Sequence, residues 1–139
     1  VIAGNLTSAF LGAKSQIPSM LKSGGGSIIF TSSFVGTSVG IPGMSLYGAA
    51  KAGLMGLVKG ITADYGAQGI RANALLPGGV DTPMAGSDAQ KEWAAGLHAM
   101  KRIAKPEEIA QAALFLAGPM ASFVSGSALY ADGGNSAVK

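Results

Sequence analysis

Three short runs of strand-forming residues alternate with longer segments of helical periodicity, and this alternation restricts the fold more than any other feature. The runs are Ser27–Ser32, Arg71–Leu76 and Ser127–Ala131. Between and around them, apolar residues recur at helical spacing, which gives the order αβαβααβ. Strands separated by helices pair in parallel through right-handed crossovers, with helices covering the faces of the sheet. The sequence therefore predicts an α/β fold, a Rossmann-like doubly wound parallel sheet with three strands.

Composition excludes several classes of protein. Hydrophobic residues make up 48% of the 139 and charged residues 12%, which favours a packed core over disorder. The net charge of +3 comes from scattered basic residues, without the clustered stripe typical of nucleic-acid binding. With no cysteine there is neither a disulfide framework nor a thiolate metal site. The longest apolar stretch, Ile109–Val124, is interrupted and too short to span a bilayer. We expect a cytoplasmic protein without a metal and without a membrane partner.

The first residues already belong to a helical pattern. Ile2 is in phase with the apolar stripe that runs to Leu21, and no capping residue or initiator Met precedes it. We interpret the chain as truncated. No internal repeat is visible, and the length suits one domain, so residues 1–139 are predicted to form a single incomplete domain.

Candidate functional residues follow the strands. Ligands of an open parallel sheet bind beyond the carboxyl ends of its strands, where loops and helix N-termini converge. Ser33 follows the first strand, Pro77–Thr82 follow the second, and Asp132 with Gly133 follows the third. These groups should share one edge of the sheet.

A lysine on an inward helical face marks the same edge. At about 100° per residue, Tyr47 and Lys51 lie in one sector with Leu54 and Val58. Burying an ammonium group costs several kcal/mol unless it is paired, so Lys51 beside a phenol indicates function. A nearby positive charge and a helix N-terminus both favour the ionised phenol, as general acid/base catalysis requires. The alternative is that Lys51 reaches water and Tyr47 simply packs.

Together, five motifs resemble the short-chain dehydrogenase/reductase family across nearly the whole chain. Tyr47-Gly48-Ala49-Ala50-Lys51 is similar to its Tyr-x-x-x-Lys, and Ser33 to its substrate-orienting serine. The other three are Asn5-Leu6, Pro77-Gly78-Gly79-Val80-Asp81-Thr82 and Tyr130-Ala131-Asp132-Gly133-Gly134. The resemblance implies the C-terminal, catalytic part of a Rossmann-like fold and an enzyme that interconverts an alcohol and a ketone by hydride transfer with NAD or NADP.

The resemblance also implies a role for each residue. Tyr47 would exchange a proton with the substrate oxygen, Ser33 would polarise the carbonyl, and Asn5 would hold a water linked to Lys51. The implied cofactor-binding residues are Tyr47, Lys51, Pro77, Gly78, Val80 and Thr82. Each has a structural alternative: Ser33 as a cap of the strand end, Asn5 as a surface amide, and Thr82 as a turn residue.

One expected part of the family pattern is missing. No Gly-rich phosphate loop occurs, and Gly24-Gly25-Gly26 leads into a strand rather than a helix, so it is predicted to be a plain turn. The choice between NAD and NADP is therefore not readable. The family commonly uses the helices of Asn5–Leu21 and Tyr47–Gly66 for dimerisation, which implies a homo-oligomer. If the chain stands alone, the Ser27–Ser32 strand exposes an apolar edge, which would favour pairing or aggregation.

Two other functions remain open at this point. Gly36-Thr37-Ser38-Val39-Gly40 is a literal Gly-x-Ser-x-Gly, with Asp81 or Asp88 and then His98 downstream in the order of a serine hydrolase. Ile41-Pro42-Gly43, however, intervenes before the next helix. The segment Met84–Met100 is expected to line the substrate pocket, and His98 is predicted on its exposed side. The third possibility is a non-catalytic remnant that keeps the oligomerising part of the fold.

Overall fold

The computed structural model describes residues 1–138 and has the element order that the sequence predicts. Its elements are α1 (Ser8–Lys22), β1 (Gly26–Thr31), α2 (Ser45–Tyr65), β2 (Ile70–Pro77), α3 (Asp88–Leu97), α4 (Pro106–Ala117) and β3 (Ala128–Ala131). One π-helical turn, Ala3–Thr7, precedes α1, and short 3-10 turns follow α2 and α4. The predicted α/β class is confirmed.

The strands form one parallel sheet with β2 in the centre. Its order is β1-β2-β3, and residues pair in the registers Phe30 with Ala74 and Ala74 with Ala128. The central position explains why β2 is buried along almost its whole length. All three strands point the same way, so their carboxyl ends meet at one edge.

The two faces of the sheet are covered by different helices. Along β2, alternate residues from Ile70 to Leu76 join the apolar core under α1 and α2, as the period of two requires. The side chains that fill this core from the two helices include Ala13, Ile17, Leu54, Val58 and Ile61. The other face of β1 and β2 contacts α4. A sheet covered on both faces is the doubly wound arrangement.

Two polar side chains, one partly and one fully buried, join the second face of the sheet to the segment after α4. The Arg71 guanidinium donates to the Leu116 carbonyl (2.9 Å) and the Gly118 carbonyl (3.3 Å), which caps the C-terminus of α4. Asn73, fully buried, donates from Nδ2 to the Val124 carbonyl at 2.9 Å. Its Oδ1 also accepts the Ser127 N–H at 3.1 Å, so the turn into β3 is fixed from β2.

Helix boundaries differ from the predictions in two places. The first helix begins with a π turn, which the apolar stripe does not indicate, and it continues through Pro18. The sequence predicts a helix over Asp88–Met100, whereas α3 ends at Leu97 because His98 takes an extended backbone conformation. None of the helices in residues 1–138 is both long and apolar enough to cross a bilayer.

Candidate active site

A cleft of about 480 Å³ lies beyond the carboxyl ends of β1 and β2. Five of the residues to which the resemblance assigns a catalytic or cofactor-binding role line it: Ser33, Tyr47, Lys51, Pro77 and Gly78. They come from the loop after β1, the first turns of α2 and the end of β2. The expected convergence of strand ends thus brings the phenol, the amine and the serine to one cavity.

Lys51 joins the end of β1 to α2. Its Nζ donates to the Thr31 carbonyl at 2.8 Å and lies 5.7 Å from the centroid of the Tyr47 ring, within cation–π range. The Ser32 hydroxyl donates in return to the Lys51 carbonyl at 2.8 Å. Partial burial lowers the pKa of Lys51 from its usual value. No carboxylate within residues 1–138 pairs with this amine, which leaves two of its three N–H donors available.

Ser33 is buried with its hydroxyl in a defined orientation. Its Oγ accepts the Val35 N–H at 3.1 Å, so the hydroxyl hydrogen is free to be donated. The loop that follows touches α2 closely, because a Cβ on Gly36 would lie 2.2 Å from the Gly48 carbonyl oxygen. This contact, next to Tyr47 in sequence, sets the distance between the loop and the start of α2.

The loop after β2 is held at several points along its backbone. The Gly78 N–H donates to the Ala131 carbonyl (3.1 Å), and the Ala104 N–H donates to the Gly79 carbonyl (2.8 Å). The Asp81 N–H donates to the Ala104 carbonyl at 2.8 Å. Because both neighbours of Val80 bond to Ala104, the N–H of Val80 points away from Ala104. In the described part of the chain that N–H and the Thr82 hydroxyl have no hydrogen-bond partner. Val80 and Thr82 are not among the residues that line the cleft.

Asn5 also lies outside the wall of the cleft. It sits in the π turn before α1, where its Nδ2 donates to the Val1 carbonyl at 3.0 Å. The next residue, Leu6, packs against α2 where Gly53 has no side chain, since a Cβ there would lie 2.8 Å from Leu6 Cδ2. Asn5 is therefore one residue from the contact with the helix that carries Lys51. π turns of this kind are often found at functional sites.

The prediction for His98 was wrong, because this side chain is 2% exposed. Its backbone turns inward after α3, and Nε2 accepts the Gly79 N–H at 3.0 Å. The imidazole fits there because Gly78 has no side chain: a Cβ at that position would lie 2.4 Å from Nε2. Helical phase could not reveal this placement, because His98 stands beyond the last helical residue.

Apolar side chains, most of them from the segment expected to cover the substrate, complete the cleft. The helix α3 contributes Trp93, Ala94 and Leu97, and the loops contribute Phe34 and Met84. The three α3 residues have the spacing of one helical face, and this is the feature of the sequence that could have predicted that they line the cleft together. Lys51 is the one formally charged side chain among the described residues of the wall. The cavity suits an uncharged, largely apolar ligand.

The geometry does not favour the hydrolase. Ser38 is exposed and donates from Oγ to the Phe34 carbonyl at 3.1 Å. No helix follows it directly, since α2 begins at Ser45, so nothing supplies the strained strand-to-helix elbow of that class. His98 instead accepts a hydrogen bond from the loop after β2.

The fold and the cleft define an α/β protein of the Rossmann type. The profile of the family described as enoyl-(acyl carrier protein) reductase matches residues 1–136. The chain belongs to the short-chain dehydrogenase/reductase family.

Similar proteins agree with this assignment. The chain is 45% identical to 2,5-dichloro-2,5-cyclohexadiene-1,4-diol dehydrogenase of Sphingobium indicum, over 96% of this chain and 56% of the relative. It is 42% identical to a 3-oxoacyl-(acyl-carrier-protein) reductase of Chlamydia trachomatis, over 96% and 54%. The crystal structure of a gluconate 5-dehydrogenase from Burkholderia cenocepacia in complex with NADP and tartrate superposes with a TM-score of 0.90 at 31% identity, covering 97% of this chain and 54% of that one. The chain spans about half the length of these relatives.

Proposed function

We propose that the protein is an NAD- or NADP-dependent oxidoreductase that interconverts a secondary alcohol and a ketone, with Tyr47 as the general acid/base. The observation that carries this proposal is the meeting of Ser33, Tyr47 and Lys51 in one cleft at the strand ends. We further propose that residues 1–139 are one unit, the catalytic part of a Rossmann-like domain.

The residues of the cleft fit the nicotinamide end of the cofactor. Lys51 has two N–H donors available for sugar hydroxyls, and Pro77 and Gly78 offer an apolar, open wall. Outside the cleft wall, in the loop after β2, the Val80 N–H and the Thr82 hydroxyl are polar groups that suit a carboxamide. When bound, the nicotinamide ring supplies or accepts a hydride at carbon. Gly24–Gly26 do not suit a pyrophosphate, because Gly25 packs against Gly69 and a strand follows.

The chain's own residues account for the proton chemistry. In the reducing direction Ser33 donates its free hydroxyl hydrogen to the carbonyl oxygen and polarises it. Tyr47 donates its phenolic proton to the same oxygen, so no free alkoxide forms. The Lys51 ammonium, 5.7 Å from the ring centroid, stabilises the phenolate that remains. Asn5, beside the contact of the π turn with α2, is proposed to hold a water that returns the proton.

The lining of the cleft supports an uncharged substrate. Two relatives are named for a dichlorocyclohexadiene diol and for a 3-oxoacyl group on acyl carrier protein, and neither a diol nor a 3-oxoacyl group is charged. A panel of cyclic secondary alcohols and 3-oxoacyl thioesters is therefore the first choice of probes.

A groove between α1 and α2 supports a homo-oligomer. It measures about 710 Å³ and is lined by apolar side chains such as Phe10, Ile17 and Leu57. A Cβ on Gly56 or Gly60 would meet nothing within 4 Å, so this side of α2 is open to a second helix. We propose that another copy of the protein packs here.

The deciding experiment compares Tyr47→Phe with Tyr65→Phe, since both tyrosines lie on α2. Loss of the proton donor should lower kcat by about 10²–10⁴-fold and leave the affinity for the reduced cofactor within a few fold. Tyr65→Phe should keep the rate of the unsubstituted protein, here called the parent protein. Near-normal turnover by Tyr47→Phe would remove the proposed acid, and ester hydrolysis abolished by Ser38→Ala would favour the hydrolase. A parent protein that binds neither NADH nor NADPH would favour the remnant.

A further inference from the structure

The imidazole of His98 is the titratable group of the cleft that the proposed proton chemistry leaves unused. It separates the cleft from a second cavity of about 310 Å³, and both cavities are also lined by Gly79. At 2% exposure it has little contact with solvent. A buried polar side chain at this position requires an explanation.

Its hydrogen bond defines its protonation state. The Gly79 N–H donates to Nε2 at 3.0 Å, so that nitrogen carries a lone pair and the proton resides on Nδ1. Within residues 1–138 Nδ1 has no hydrogen-bond partner. The imidazole is therefore neutral, and it satisfies the amide of the turn that follows β2.

We propose that His98 is a positioning residue: its neutral imidazole anchors the Gly79 amide and so holds the Pro77–Thr82 loop where it receives the nicotinamide end of the cofactor. This inference rests on the proposed function. The geometry that supports the positioning role of His98 itself is the pair of glycines beside the imidazole, at positions 78 and 133. A Cβ on Gly78 would lie 2.4 Å from Nε2, and one on Gly133 would lie 3.3 Å from the His98 Cβ. The absence of these two side chains leaves room for the imidazole to reach Gly79.

Protonation should remove this anchor, while the backbone hydrogen bonds of the loop to Ala131 and Ala104 remain. An imidazolium carries a hydrogen on Nε2, which then faces the Gly79 N–H with no acceptor between them. Burial lowers the pKa of His98 from its usual value. The Asp132 carboxylate at the end of β3 and the backbone of Arg102, which lies outside hydrogen-bond geometry with Nδ1, oppose this shift. The Arg102 guanidinium is paired with Glu108, and Lys51 lines the same cleft. The anchor is complete above the ordinary histidine pKa of about 6.5 and is lost as pH falls through the lower folded value.

The first test is spectroscopic and needs no cofactor. His98 is the only histidine of the chain, so its imidazole nitrogen signals are unambiguous. We expect the Nδ1–H tautomer and a midpoint below 6.5. We also expect the Gly79 amide to exchange far more slowly than an unprotected amide at pH 7.5, and this protection, relative to the intrinsic rate at each pH, to fall once His98 is protonated. An Nε2–H tautomer, or a Gly79 amide whose exchange ignores the titration, would overturn the proposal.

The second test separates the acceptor from the side-chain volume. His98→Gln places an oxygen acceptor at the reach of Nε2 but does not titrate, whereas His98→Leu fills the space without an acceptor. Because a buried N–H loses its partner in His98→Leu, the Gly79 amide should exchange at least about tenfold faster and NADH or NADPH should bind about tenfold more weakly. His98→Gln should restore both, and its affinity should not change as pH falls through the His98 midpoint found in the first test, whereas that of the parent protein should fall there.

Binding is followed through Trp93, the only tryptophan, which lines the cleft. Equal amide exchange in His98→Leu and the parent protein would refute the anchor. If the parent protein binds neither cofactor at any pH, the proposed function fails, and the amide exchange still decides whether His98 anchors the turn. If binding is normal but independent of His98, the proposed function survives and the positioning role is wrong.

Discussion

A single methyl group at Gly36 should destabilise the protein strongly, because two penalties coincide at this position. Gly36 has φ = +86°, a left-handed conformation that costs other residues about 1–2 kcal/mol. A Cβ there would also lie 2.2 Å from the Gly48 oxygen and 2.5 Å from its carbon, so the loop after β1 must move away from α2. Overpacking of this kind costs about 1–3 kcal/mol. We expect Gly36→Ala to lower the free energy of unfolding by about 3.5 kcal/mol, the middle of that combined range.

Gly40→Ala is the matched control in the same loop. A Cβ on Gly40 would meet nothing within 4 Å, and its φ is outside the left-handed range. The change should be neutral or stabilise by up to about 1 kcal/mol, since alanine restricts the unfolded chain. Urea unfolding followed by Trp93 fluorescence measures both variants, and in thermal unfolding Gly36→Ala should lower Tm by about 10 °C. If the two variants unfold alike, the loop does not pack on α2 at this distance and the placement of Tyr47 beside Ser33 loses its support.

Three further substitutions test the site and its frame. Lys51→Met should weaken binding of NADH or NADPH at least tenfold while leaving urea stability unchanged or higher, because the partly buried amine has no carboxylate partner; a large loss of stability would assign it a structural role. Asn73→Ala should cost about 3 kcal/mol in urea unfolding, since two backbone groups lose a buried partner, and a cost below about 1 kcal/mol would contradict this. The Arg102 guanidinium and the Lys105 N–H lower the pKa of Glu108 to about 2, so the stability difference between the parent protein and Glu108→Gln should be constant above pH 4.5 and vanish as pH falls to about 2. Because this pair is exposed, 1 M salt should reduce that difference, and a salt-independent difference would refute the ion pair as its cause.

Some features of the fold could be predicted because they are local. The run Ser27–Ser32 predicts a strand that spans Gly26–Thr31, and the spacing of Tyr47 and Lys51 predicts side chains on one face of α2. Both depend on periodicity, which records which face of an element is apolar. The parallel direction of the strands could be predicted because a crossover helix separates each strand from the next.

What the sequence by itself determined is the class of fold, the order of its elements and the residues at the carboxyl edge of the sheet. Only the tertiary structure decided that Gly36 touches Gly48, that Asn73 fixes the turn into β3, and that His98 is buried against Gly79. These contacts join segments that are distant along the chain, and each depends on the space that another segment leaves free. A side chain at Gly78 would exclude the His98 imidazole, yet the periodicity of neither segment records that relation.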